Sequence, residues 1–343
     1  FAAQRKRRSV DDLMRNTPAD GLVTGFGTVN EATIEGRTDT AVLAYDYTVL
    51  AGTQGVMNHK KTDRMISVIE SQKTPLVFYC EGGGGRPGDV DAMDTAIAGL
   101  DVSTFWHFAR LSGLVPMIGI ASGRVFAGNA ALLGCCDVVI ATRDASIGMG
   151  GPAMIEGGGL GQFHPDEVGP VSVQGPNGVI DLIVEDEIEA TAKAKQYLSY
   201  FQGRSKEWSS PDPKMLRTVV PENRVEVYDV HAALDRLCDI GSILELRRSF
   251  APGMVTAFAR IEGRPIGILA NNPLHLAGAI DSNGADKAAR FIQLCDAYDI
   301  PVLTLCDTPG MMVGPEVETT ALVRHCSRLF LAAGNATIPM MTV

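Results

Sequence analysis

LVPMIGIASGRVFAGNAALLGCCDVVIAT, residues 114–142, is the stretch on which the reading of the chain turns. Residues 115–120 form an apolar run entered through Pro116, which predicts a short buried strand. Small residues follow, Ala121-Ser122-Gly123, and then Ala127-Gly128-Asn129. Residues 130–135 are helix-compatible, and 137–141 read as a second buried strand. A strand that feeds a glycine loop and then a helix leaves main-chain N–H groups unsatisfied at the positive helix end. Gly128 and Asn129 stand where such donors emerge. Without a Cβ, Gly128 would let a ligand carbonyl approach the main chain. The same residues would also make a tight strand-to-helix turn with no ligand, and this stretch alone leaves both readings open.

At 343 residues the chain is long enough for two ordinary domains, each with its own core. A net charge of −10 speaks against nucleic acid as a general partner, because phosphate backbones select basic surfaces. No apolar run reaches the length of a membrane span, so no membrane association is expected, and no secretory signal is seen. The chain opens on Phe1 without an initiating Met, so the true N-terminus is expected upstream. The seven cysteines have no disulfide-like spacing, and Cys80, Cys135, Cys136, Cys295 and Cys306 lie in or beside apolar runs. A reducing, cytoplasmic location is expected from that usage. Neither CxxC nor HExxH nor HxxEH occurs, so no metal site is expected. The basic run Lys6-Arg7-Arg8 reads as a solvated face or as a contact for an anionic ligand.

Working outward, the chain repeats itself. Val23-Thr24-Gly25-Phe26-Gly27 recurs as Val255-Thr256-Ala257-Phe258-Ala259, 232 positions later. Lys61, Pro75 and Glu81 then find Lys287, Pro301 and Asp307 at a constant offset of 226. Val115-Pro116-Met117-Ile118 matches Ile338-Pro339-Met340-Met341 at 223. Each copy reads as two strands, an Ala-Gly loop (Ala51-Gly52; Ala277-Gly278), a helix, a Pro-entered strand, a Gly-rich loop and a further helix. Alternating strands and helices predict an α/β fold with mainly parallel pairing. The expected domains are residues 1–205, a linker at 206–224 rich in proline and charge, and 225–343. At the 223 offset the partner of Gly128 falls beyond Val343. The second copy is therefore expected to be incomplete and the chain a segment of a longer polypeptide. Residues 148–178 are a glycine- and proline-rich excursion containing Gly150, Gly151 and Pro152. It reads as backbone close to a ligand or another subunit, or as a surface loop.

Side-chain catalysts are scarce. Ser122 and Ser146 lack a nucleophile elbow, and the six histidines are scattered. Two backbone-rich loops, residues 82–88 and 123–129, would open at one sheet edge, where converging N–H groups can stabilise a developing oxyanion. Arg86 would hold a phosphate or carboxylate there, or serve in a structural salt bridge.

These motifs resemble the carboxyltransferase component of biotin-dependent acyl-CoA carboxylases, a family built from two crotonase-like (ClpP/crotonase) ββα superhelical halves. The 114–142 stretch is similar to its strand, Ala-Gly-Gly loop and helix, with Asn129 replacing the second glycine. Gly83-Gly84-Gly85-Arg86 resembles its Gly-Gly-Ala-Arg loop. Residues 270–273, Ala-Asn-Asn-Pro, and 307–310, Asp-Thr-Pro-Gly, are close to the second-half pattern. The resemblance implies carboxyl transfer from N-carboxybiotin to the α-carbon of a short-chain acyl-CoA such as acetyl- or propionyl-CoA. It implies Gly128, Asn129, Gly84 and Gly85 as oxyanion donors, and Arg86, Gly83, Gly150, Gly151 and Pro152 on the acyl-CoA. Asn271, Pro273, Pro309, Gly310 and Met311 fall on the biotin side. No biotinyl-lysine motif is present, so biotin is expected on a separate carrier domain or subunit, with biotin carboxylase as a further partner. A homo-oligomer with active sites between subunits is also implied. A biotin-dependent decarboxylase subunit and a non-catalytic scaffold of a carboxylase complex stand as alternatives.

Overall fold

The structure, a computed structural model, describes residues 1–92, 102–223 and 225–343. The chain forms two compact units, Phe1–Val29 with Asp39–Ala194, and Asn30–Thr38 with Lys195–Val343. The stretch 206–224 lies within the second of these.

In the first unit, β1 (Leu22–Thr28) and β2 (Asp39–Tyr45) pair antiparallel. From β2 the sheet continues in parallel through β3 (Leu76–Tyr79), β4 (Met117–Ala121), β6 (Val138–Thr142) and β8 (Leu182–Val184). Between these, β5 (Arg124–Phe126) and β7 (Ser146–Gly148) form a separate parallel pair. β4 and β6 are buried along their whole length, as continuous apolar runs covered on both faces should be. The helix Val56–Gln72 supplies Met65, Ile66 and Ile69 to a core with Leu43, Phe78 and Met117. It stops at Lys73, which takes a left-handed cap conformation.

In the second unit, β9 (Leu244–Leu246), β10 (Met254–Ile261) and β11 (Arg264–Asn271) pair antiparallel, and β12 (Val302–Leu305) and β13 (Met340–Thr342) add in parallel. Its sheet is thus mixed rather than mainly parallel. The helix Ser282–Ala297 is capped by Asp281, whose side chain accepts from Gly284 N at 2.7 Å.

The sequence repeat has an atomic counterpart. Gln54 bridges Gly85 in parallel, and Ile280 bridges Met311, each residue 226 positions from its equivalent. Leu50 and Ala51 take positive φ before Gly52, as Leu276 and Ala277 do before Gly278. Both glycines are required by close approach. A Cβ on Gly52 would overlap the Glu81 carbonyl, and one on Gly278 would overlap the Asp307 carbonyl.

Candidate functional site

The loop leaving β3 and the segment carrying β5 are joined at Gly82 in the first unit. Gly82 N donates to Arg124 O at 2.8 Å, and Phe126 N donates to Gly82 O at 2.9 Å. The chain then turns sharply at Ala127, a non-glycine residue at φ 50°, ψ −119°, and enters the helix Gly128–Gly134. Backbone strain of this kind persists where the surroundings over-determine it. Gly84, at φ +87°, backs onto the turn, and a Cβ there would lie 2.5 Å from Ala127 Cβ and 3.2 Å from Gly128 N. Only glycine allows the two segments to come so close.

Counting donors along the loop decides which N–H groups could serve a ligand. Gly83 N is taken by Ala51 O at 3.0 Å, Gly84 N by Asn129 Oδ1 at 3.0 Å, and Arg86 N by Gln54 O at 2.8 Å. Gly85 N has no partner among the described residues, and the space where its Cβ would stand is open. On the facing segment, Ala127 N is bonded to Gly148 O at 3.0 Å, while Gly128 N and Asn129 N begin a helix and have no partner among the described residues. Of the four expected donors, Gly84 N is thus committed inside the protein, while Gly85 N, Gly128 N and Asn129 N have no partner among the described residues; the N–H of Gly83, expected on the acyl-CoA, is committed as well. The structure also changes the reason for Gly128. A Cβ there would overlap Gln54 Oε1 and press on the Phe105 ring, so the glycine makes room for a buried amide rather than for a ligand.

Arg86 is corrected as well. Its side chain is 3% exposed and paired with Asp20 and Asp89, which are equally buried. Nε donates to Thr53 Oγ1 at 3.1 Å and Nη2 to Thr53 O at 2.6 Å. With its donors committed inside the protein, Arg86 fixes the shape of the loop and offers no charge to a phosphate.

Gly150, Gly151 and Pro152 lie beside these loops. Gly151 precedes the helix Pro152–Gly157 and packs on Phe126, where a Cβ would be 3.2 Å from the ring. In the same stretch of sequence Met149, Met154, Leu160 and Phe163 are exposed apolar residues. Glu81, next to Gly82, is held above the usual carboxylate range by burial. It lines a cavity of about 520 Å³ with Arg124, Arg143 and Ser146, which Gly85 and Gly128 do not line.

In the second unit the equivalent loop carries Pro309, Gly310 and Met311. Ile280 N donates to Gly310 O at 3.0 Å and Met312 N to Ile280 O at 2.9 Å, leaving Met311 N without a partner among the described residues. Gly310, at φ +118°, borders open space. Asn271 is buried and donates to Gly278 O at 3.2 Å, so it supports the Ala-Gly turn. Pro273 lies in the turn that follows β11. Tyr228 donates to Asp307 Oδ2 at 3.0 Å, and burial together with that carboxylate pushes its hydroxyl up to about 12.

Two features escaped the sequence reading: the side-chain amide of Asn129 and the buried Gln54, whose Nε2 donates to Tyr45 OH at 3.2 Å. The repeat held a signal for Gln54, since its equivalent is the apolar Ile280.

The chain is 34% identical to the uncharacterized carboxylase YngE of Bacillus subtilis (strain 168), covering 95% of this chain and 64% of that protein. It is 32% identical to the methylmalonyl-CoA carboxyltransferase 12S subunit of Propionibacterium freudenreichii subsp. shermanii, with 95% and 62% covered. It thus spans less than two thirds of these relatives. Among solved structures, a single-chain, multi-domain long-chain acyl-CoA carboxylase is similar over the whole chain and 34% of its own length, at 54% identity and a TM-score of 0.96. The transcarboxylase 12S hexamer with methylmalonyl-CoA and methylmalonic acid bound is similar over 95% of this chain and 64% of its own, at 30% identity and a TM-score of 0.82. Residues 2–343 match the carboxyl transferase domain, and the chain belongs to that family, the one that holds the beta-type carboxyltransferases of biotin-dependent acyl-CoA carboxylases.

Proposed function

We propose that this chain transfers a carboxyl group to the α-carbon of a coenzyme A thioester, with the acyl site in the first unit. The supporting observation is the convergence of two segments whose free N–H groups, Gly85 on one and Gly128 on the other, are brought together by the Gly84–Ala127 approach. Donors held in this way stabilise the thioester oxygen as the α-proton leaves and negative charge builds on it, and they need no reorganisation to do so. Loss of that proton and formation of the new C–C bond leave the thioester itself intact. The scarcity of side-chain bases at this edge fits a reaction whose base and carboxyl group arrive together. N-carboxybiotin on a separate carrier domain or subunit supplies both when bound. The second unit, on the same crotonase-like plan, offers Met311 N and the open face of Gly310 as its own place for a biotin group. Biotin carboxylase and carrier domains are the partners this requires, and a homo-oligomer in the cytoplasm completes the reading.

The short-chain expectation is revised here. Met149, Met154, Leu160 and Phe163, in the glycine-rich stretch that carries Gly151, are exposed, and flexible methionines suit a long acyl chain. The single-chain relative of similar sequence is itself a long-chain acyl-CoA carboxylase. The test is a screen of acetyl-, propionyl- and palmitoyl-CoA with the complete enzyme and its biotin carrier, reading carboxylated product by mass. The highest kcat/KM is expected for palmitoyl-CoA. A preference for acetyl- or propionyl-CoA would return the substrate to the short-chain class, and no product from any thioester would refute carboxyl transfer.

A further inference from the structure

We propose that the side-chain amide of Asn129 is the positioning element of the acyl site, clasping the 82–86 loop so that the Gly85 and Gly128 donors face one place. The assignment rests on the carboxyl-transfer reading. Asn129 is fully buried. Its Oδ1 accepts from Gly84 N at 3.0 Å, and its Nδ2 donates to Cys80 O at 3.1 Å and Gly52 O at 3.4 Å. One N–H and two carbonyls as partners fix which way the amide points, since the flipped group would set donor against donor and acceptor against acceptor.

The three partners lie on three segments: the end of β3, the Ala-Gly turn and the glycine loop. By occupying Gly84 N, the amide leaves Gly85 as the loop's free donor. Because Asn129 follows Gly128 directly, its backbone sets one donor while its side chain holds the loop that carries the other. The neighbouring sequence is adapted to it, because a Cβ on Gly82 would overlap the amide. The second unit fastens the equivalent turn differently, with Asn271 of β11 reaching Gly278 O.

Asn129→Gly removes the clasp, while Asn129→Asp keeps the shape and the acceptor but sets an oxygen against two carbonyls. In the complete enzyme, both should lower kcat by roughly 10- to 100-fold with KM for the thioester within about threefold of wild type, because a donor pair moved by about an ångström fails mainly in the transition state. Aspartate should be the more damaging change, whereas a merely space-filling role would make the isosteric aspartate the milder one. Hydrogen exchange of the 82–86 amides should quicken in Asn129→Gly. Should the aspartate variant not fold, the glycine variant carries the test through kcat, KM and exchange together. Folded variants with kcat within twofold of wild type, a change in KM alone, or aspartate milder than glycine would overturn the proposal. A wild-type enzyme that carboxylates no CoA thioester would instead overturn the reading beneath it, and the exchange comparison would still decide whether Asn129 holds the loop.

Discussion

The loops that leave β3 and β12 each meet an Ala-Gly turn, and the two loops are held by different means. Both use a positive-φ Ala-Gly turn, and both bridge the loop to the residue two places after it, Gln54 with Gly85 and Ile280 with Met311. In the first unit the loop is surrounded by buried polar groups: Asn129, Gln54, and Arg86 with Asp20 and Asp89. In the second unit the position equivalent to Arg86 is Met312, which packs with Ile280, Met311 and Val317 against Ala285, Leu322 and Cys326. Polar clasps are directional and specify a geometry, while an apolar cluster tolerates repacking. The difference suggests that the first loop must hold its donors to a closer tolerance.

The largest effects should come from forcing the first pair of segments apart. Gly128→Val drives a branched Cβ into Gln54 and should lower kcat by roughly two to three orders of magnitude, the usual scale for a lost oxyanion donor. Gly84→Ala, whose Cβ would meet Ala127 Cβ at 2.5 Å, should lower it by about 100-fold. Steady-state kinetics of the complete enzyme check both. A folded Gly128→Val enzyme that keeps half its kcat would remove that donor from the site.

Arg86→Ala comes next, and here the effect is on stability. It would strand two buried carboxylates, at a cost of about 3–5 kcal/mol in urea unfolding. Arg86→Lys should rescue little of this, because an ammonium cannot serve Asp20, Asp89 and Thr53 in one plane. A rise in KM with unchanged stability would return Arg86 to the ligand. Gly310→Ala is the matched control for Gly84→Ala. The φ is again positive but the space is open, so about 1 kcal/mol of backbone strain is expected. The comparison is read in urea unfolding, since Gly310 borders the proposed biotin place: if Gly310→Ala destabilises the fold as much as Gly84→Ala, the contrast between the loops fails.

Much of this architecture was legible before any coordinates. The constant 226 offset placed the paired loops, and the close approaches keep that offset: the glycines at 52 and 278 sit under the carbonyls of residues 81 and 307. The strand at Met117–Ala121 and the helix at Gly128–Gly134 followed from apolar runs and small residues. The allocation of donors was not legible. Whether Gly84 or Gly85 keeps a free N–H depends on where the amide of Asn129 points, 45 positions further on. Likewise the charge of Arg86 was visible but its partners were not, since Asp20 lies 66 positions away in the chain.

The smallest expected effect separates the two units by pH. His59 is packed in the first unit with Nδ1 3.0 Å from Thr104 Oγ1, and burial lowers its pKa below the ordinary 6.5 despite nearby Asp63 and Asp20. The unfolded chain therefore takes up the proton first as pH falls, and the stability gained by keeping His59 neutral is lost progressively below about 6.5. His231 in the second unit behaves oppositely. Its hydrogen bond to Glu245, with that to Asp229 adding and burial opposing, raises it to about 9. The folded state then holds the extra proton, so this contribution is complete below 6.5 and disappears as pH rises through about 9. The two tryptophans lie in different units, Trp106 in the first and Trp208 in the second, so each can report on its own surroundings. Urea titrations of Trp208→Phe and Trp106→Phe at pH 5.5, 7.5 and 9.5 should show the first unit losing stability on the acid side and the second on the alkaline side. His59→Gln should flatten the acid limb and His231→Gln the alkaline one. The reverse pattern, with the second unit loosening first in acid, would show that these histidines do not govern the response and that the two units differ in pH dependence for another reason.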